Sequence, residues 1–73
     1  MNIANYIEIK SFKRFGKPVL VGTRIAVADV LSWLANGMSP AEIIADFPEL
    51  TEEMIKASLF YAASREGRLG IAS

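Results

Sequence analysis

The sequence contains no cysteine and no histidine. The first absence excludes disulfides and thiolate metal sites. The second leaves a zinc ion only carboxylates to bind, a poor donor set for it. Together they remove the commonest nucleophiles and the side chain that most often moves protons near neutral pH. Net charge is missing too, because eight basic residues balance eight acidic ones. No run approaches the ~20 apolar residues of a membrane-spanning helix. Met1-Asn2-Ile3-Ala4-Asn5 lacks the basic start and apolar centre of a secretory leader. The expected setting is cytoplasmic, with no membrane, metal or cofactor.

What remains is a chain of 73 residues, 52% of them hydrophobic. That length makes one domain, residues 1–73, and a domain so short buries only ~60% of the surface its unfolded form exposes. Without disulfide or metal, the remaining route to a stable core is association, and a homodimer or a stable heteromeric partner is expected. The zero net charge hides a division. Residues 1–38 hold five basic residues (Lys10, Lys13, Arg14, Lys17 and Arg24) against Glu8 and Asp29. Residues 39–73 hold three (Lys56, Arg65 and Arg68) against six acidic ones. Such a split suits a polyanionic partner at one end, or a soluble protein with an uneven surface.

The chain divides into a β-hairpin over 5–24, a three-helix core over 27–66 and a flexible tail over 67–73. Tyr6-Ile7-Glu8-Ile9-Lys10 alternates, which puts Ile7 and Ile9 on the buried side of a strand. Val19-Leu20-Val21, fenced by Gly16, Pro18 and Gly22, is the returning strand. From Val27 the period changes: Val27, Val30, Leu31 and Leu34 mark one helical face, and Gly37 ends the helix. Ser39-Pro40-Ala41-Glu42 has a capping serine, a proline suited to the first helical position and a glutamate that closes a capping box. That helix runs over 40–47 and stops at Pro48. Thr51 caps a third helix that extends to about Arg65, with Ile55, Leu59, Ala62 and Ala63 as its inner stripe and Phe60 and Tyr61 off it. The predicted fold is mostly α: an N-terminal hairpin followed by a helix-turn-helix core of homeodomain-like or winged kind.

No residue set supports catalysis. Glu52 and Glu53 are adjacent carboxylates, but neighbouring helix positions point about 100° apart and do not converge on one substrate. Gly16 to Gly22 lacks the Gly-Lys-Ser/Thr ending of a phosphate loop. As a DNA reader, the helix-turn-helix would present the start of its last helix to base edges. Glu52 and Glu53 stand there and face phosphate repulsion, with Lys56 the one base nearby. The better candidates for DNA are the hairpin cations Lys13, Arg14, Lys17 and Arg24, joined by Lys56. They could equally be a solvated hairpin tip. Candidates for a protein partner are Trp33, Phe60 and Tyr61, with Phe12 and Phe15, more large aromatics than so small a core encloses, and Arg65 and Arg68 are suited to carboxylates.

Gly16-Lys17-Pro18-Val19-Leu20-Val21-Gly22-Thr23-Arg24-Ile25, then Asp29-Val30-Leu31, resembles the opening signature of family 433 of the domains of unknown function. Gly37-Met38-Ser39-Pro40-Ala41-Glu42-Ile43-Ile44 and Phe47-Pro48-Glu49-Leu50-Thr51 resemble its second block. The match runs over about residues 5 to 64 and departs at Ala26, where the family commonly has proline. The resemblance implies a helix-turn-helix core behind a hairpin. It also implies an antitoxin similar to the VapB type, which neutralises a PIN-like nuclease toxin and binds operator DNA as a dimer. The alternative is an interaction and dimerisation module that binds no DNA.

Overall fold

The computed structural model describes residues 1–65. Among them, β1 (Ile7–Glu8) pairs antiparallel with β2 (Val19–Leu20), with Ile7 opposite Leu20 and Glu8 opposite Val19. The strand expected over Tyr6–Lys10 is therefore shorter. Ile9 leaves the sheet and is 61% exposed, not buried beside Ile7. The ladder ends at Glu8 and Val19: Pro18, opposite Ile9, turns its carbonyl away from β1 and accepts from the Val27 amide.

Such a short hairpin is marginal alone. This one is completed from its other side. The Leu20 amide donates to the Ile25 carbonyl at 2.9 Å and the Val27 amide to the Pro18 carbonyl at 3.0 Å. The turn that makes this possible passes through Gly22 at φ +79°, a conformation that side chains resist. The Thr23 hydroxyl closes the turn, donating to the Leu20 carbonyl and accepting from the Ile25 amide, both at 2.9 Å.

Three helices follow: α1 (Val27–Ala35), α2 (Pro40–Asp46) and α3 (Glu52–Arg65). Their starts follow local chemistry. The Asp29 carboxylate accepts from the Ala26 amide at 3.0 Å, whereas Ala26 has no side-chain acceptor to return the bond. A proline here, usual in the family resemblance, would remove that donor. Ser39 and Glu42 exchange both bonds of a capping box, at 2.8 and 3.2 Å. The Thr51 hydroxyl accepts from the Met54 amide at 3.2 Å. Gly37, at φ +96°, ends α1.

The core joins the hairpin to the helices through Leu20, Val30, Ile43, Leu50 and Ile55, with Ile7 at its edge. The inward face of α3 differs from the expected stripe. Leu59 is 48% exposed and Ala63 lies on the surface, whereas Ala57 and Ser58 are buried and Tyr61 packs against the core. Because α3 packs on α1, on α2 and on the hairpin, its buried face is set by three neighbours rather than by apolar spacing alone. Ser58 tolerates burial because its hydroxyl donates to the Met54 carbonyl at 3.0 Å.

Candidate functional site

The candidate site is the hairpin tip and its surroundings. Arg14, Phe15 and Gly16 adopt φ values of +50°, +58° and +79°, three left-handed residues in succession. For a non-glycine residue this conformation costs roughly 1–2 kcal/mol. Arg14 offsets part of that through its side chain. The guanidinium donates to the Arg24 carbonyl at 2.8 Å and to the Asp29 carboxylate at 2.9 Å. Phe15 has no such anchor and is 97% exposed. Phe12 and Ile9 are exposed beside it in sequence, and the Lys10 ammonium lies 5.9 Å from the centre of the Phe12 ring.

The cations at the tip fall into two sets. Lys13 is bound to Glu8 at 2.9 Å, with Lys10 at 3.7 Å from the same carboxylate, and Arg14 is bound to Asp29. Lys17 and Arg24 are exposed and form no salt bridge among the described residues. Of the four hairpin cations that sequence nominates for DNA, two are therefore engaged internally and two face solvent. Lys56 is exposed on α3, close to Leu59, Phe60 and Ala63. Glu52 and Glu53 are exposed at the start of the same helix.

The partner candidates also separate. Trp33 is half-buried and stacks on Phe47, with ring centres 4.4 Å apart and planes inclined by 9°, so much of it serves the core. Phe60 is 54% exposed. Tyr61 packs inward, and Arg65 lies over its ring at 5.6 Å while donating to its hydroxyl at 3.5 Å. Arg68 lies outside the described residues. Phe12 and Phe15 are exposed as the surplus of aromatics over so small a core predicts, whereas sequence reasoning missed the exposure of Ile9 and missed Asp29 as the anchor of Arg14. Asp29 stands at the third helical position, a signal for capping that says nothing about a distant arginine.

Two carboxylates carry shifted acidities. The Lys13 hydrogen bond holds Glu8 below its ordinary value of 4.5, against the opposing effect of burial and with help from the Gly22 amide and the Lys10 charge. Burial pushes Asp29 up, but the Ala26 amide, Arg14 and the Lys17 charge outweigh it and hold the carboxyl below its ordinary 3.8. Depressed carboxyls bind fewer protons folded than unfolded, so stability rises with pH until the unfolded carboxyls are ionised and is lost as pH falls through the lower folded values. The urea midpoint is expected to fall on acidification below about pH 4.5. Asp29→Asn should flatten that decline while lowering the midpoint at neutral pH. An unchanged acid profile in the variant would remove Asp29 from the account.

Among the described residues, no cluster of three or more potential ligands is placed to hold a metal ion. No helix among them is long and apolar enough to cross a membrane. No curated protein matches the chain significantly. The solved structure of a DUF433 member protein from Anabaena variabilis ATCC 29413 is similar, with a TM-score of 0.81 and 25% identity, over 93% of this chain and 67% of that one. The family described as a protein of unknown function, DUF433, matches residues 7–62. With that match spanning most of the sequence and the same hairpin-and-helix frame, the chain belongs to the DUF433 family.

Proposed function

We propose that this chain is an antitoxin-like, non-enzymatic module that binds a nuclease of PIN-like fold and binds operator DNA as a dimer. The observation that carries the reading is the hairpin tip, where Lys17 and Arg24 stand exposed without salt bridges among the described residues beside the exposed Phe12 and Phe15. Solvated cations suit phosphates, and exposed aromatics suit a protein partner. The three-helix frame behind the tip is compatible with a helix-turn-helix, and the resemblance of the sequence motifs is what supports the antitoxin reading. Two subunits would double the cations offered to one duplex.

Gel shifts on the DNA upstream of its own gene, at increasing salt, test the nucleic-acid half. Affinity should fall as salt rises, and Lys17→Ala/Arg24→Ala should reduce the slope of log K on log salt by about 0.9 for each phosphate contact removed. Absence of binding at low salt would reject this half. Arg65→Ala/Arg68→Ala protein mixed with the neighbouring nuclease tests the other half, and loss of inhibition is expected.

The second reading is an interaction and dimerisation module without DNA. Two observations favour it: Glu52 and Glu53 are exposed at the start of α3, where a helix-turn-helix meets base edges, and Lys13 and Arg14 are spent on internal carboxylates.

A further inference from the structure

We propose that the groove between the start of α1 and the end of α3 docks a segment of a partner protein that carries a large apolar side chain flanked by carboxylates. The groove has a volume of about 560 Å³, within the range of sites that enclose a small ligand or a bulky side chain. Pro18, Ala28 and Leu31 form its apolar surface together with Tyr61 and Ala62, and Lys17 and Arg65 stand at it as the cations. Ala28 is exposed, so its small side chain leaves the groove open.

Charge complementarity selects the occupant. Neither Lys17 nor Arg65 has a carboxylate partner among the described residues. Asp29, whose acidity Lys17 influences, is already bound by Arg14. Arg65 is oriented by Tyr61, with its guanidinium 5.6 Å from the ring centre and Nη1 donating to the hydroxyl, and a planar guanidinium so held suits a carboxylate in two-bond geometry. An apolar surface with two such cations at it matches an apolar residue accompanied by acids. A second copy of this chain matches it poorly. Its exposed Phe12 and Phe15 lie in the segment that carries Lys10, Lys13, Arg14 and Lys17, and its Phe60 lies near Lys56. Seating either would bring like charges together.

The inference rests on the partner-binding half of the preceding reading and deepens it. It also assigns Lys17 to a carboxylate, so that segment and phosphate compete for this residue. The test uses the full chain, labelled with ¹⁵N, and an acetylated and amidated synthetic peptide, Glu-Leu-Phe-Glu. Amide shifts are expected at Ala28, Leu31 and Ala62. Binding should weaken roughly tenfold in Lys17→Ala/Arg65→Ala, the loss of two exposed charge pairs. Ala28→Leu fills the groove without a change of charge and suits a helix. It should keep the fold, judged by circular dichroism, and lose the peptide shifts. The peptide Lys-Leu-Phe-Lys should cause none.

No shifts with the acidic peptide, or equal shifts with both peptides, would overturn the proposal. So would concentration-dependent shifts of the same amides without peptide, which would identify a second copy as the occupant. The nuclease separates this proposal from the function it rests on. If the peptide fails to bind but the chain still neutralises the nuclease, the groove is wrong and the function stands. If the peptide binds and Ala28→Leu still neutralises it, the groove stands and the nuclease is not its partner.

Discussion

Leu20→Ala is expected to lower the unfolding free energy by about 2–5 kcal/mol, the range for deleting a buried leucine side chain and leaving a cavity. Leu20 is 0% exposed and belongs to the cluster with Ile7, Val30, Ile43, Leu50 and Ile55. It lies on the strand that has backbone partners on both sides, Tyr6–Glu8 on one and Ile25–Val27 on the other. Neighbours so constrained collapse poorly into a void, which places the effect toward the upper part of the range. Small domains have little stability to spare, of the order of 5 kcal/mol at the low end. The variant should therefore populate unfolded chain even without denaturant. The urea midpoint measures the change, and Leu59→Ala, at a 48% exposed position of α3, is the control. Equal losses in the two variants would mean that the core is not centred on the hairpin.

Thr23→Val should cost about 1–3 kcal/mol, although it preserves size and shape, because it strands polar groups. Thr23 is 8% exposed, and its hydroxyl is the acceptor for the Ile25 amide as well as a donor to the Leu20 carbonyl. The carbonyl keeps a second donor, the Thr23 amide at 3.0 Å. The partly buried Ile25 amide has no replacement, and its unmet bond is the larger part of the loss. Thr23→Ser retains the hydroxyl and should recover most of the stability. If valine and serine behave alike, the turn is held by backbone geometry at Gly22 and not by the hydroxyl. Hydrogen exchange at the Ile25 amide distinguishes the two, since it should become fast only in the valine variant.

The helix boundaries were legible in the sequence because their causes are local. Ser39, Pro40 and Glu42 lie within one turn of each other, and Gly37 and Thr51 act on the residues beside them. The candidate site was legible only as a list of types. That Lys13 and Arg14 are bound to carboxylates while Lys17 and Arg24 form no salt bridge among the described residues depends on groups brought close by the fold, and Arg14 and Asp29 are fifteen residues apart. Alternation misplaces Ile9 because the pattern carries no information about where the ladder ends, at Glu8 and Val19. The inward face of α3 failed for a related reason: Ser58 is polar by type and buried by position, and its satisfaction by Met54 is visible only once the helix exists. The antitoxin reading came from similarity of motif, and periodicity contributed nothing to it.

The Arg14 anchor has a thermodynamic corollary. The same Asp29 oxygen accepts from the Arg14 guanidinium and from the Ala26 amide at the first turn of α1. An anion that captures the Nη1 group of Arg14 must take it from that oxygen. Occupancy at the tip and order at the helix start are then coupled by one free energy that acts equally in both directions. An exposed pair is worth about 0.2–1 kcal/mol, so the coupling weakens any anion at Arg14 by at most about fivefold. Lys17 and Arg24, which form no salt bridge among the described residues, carry no such handicap.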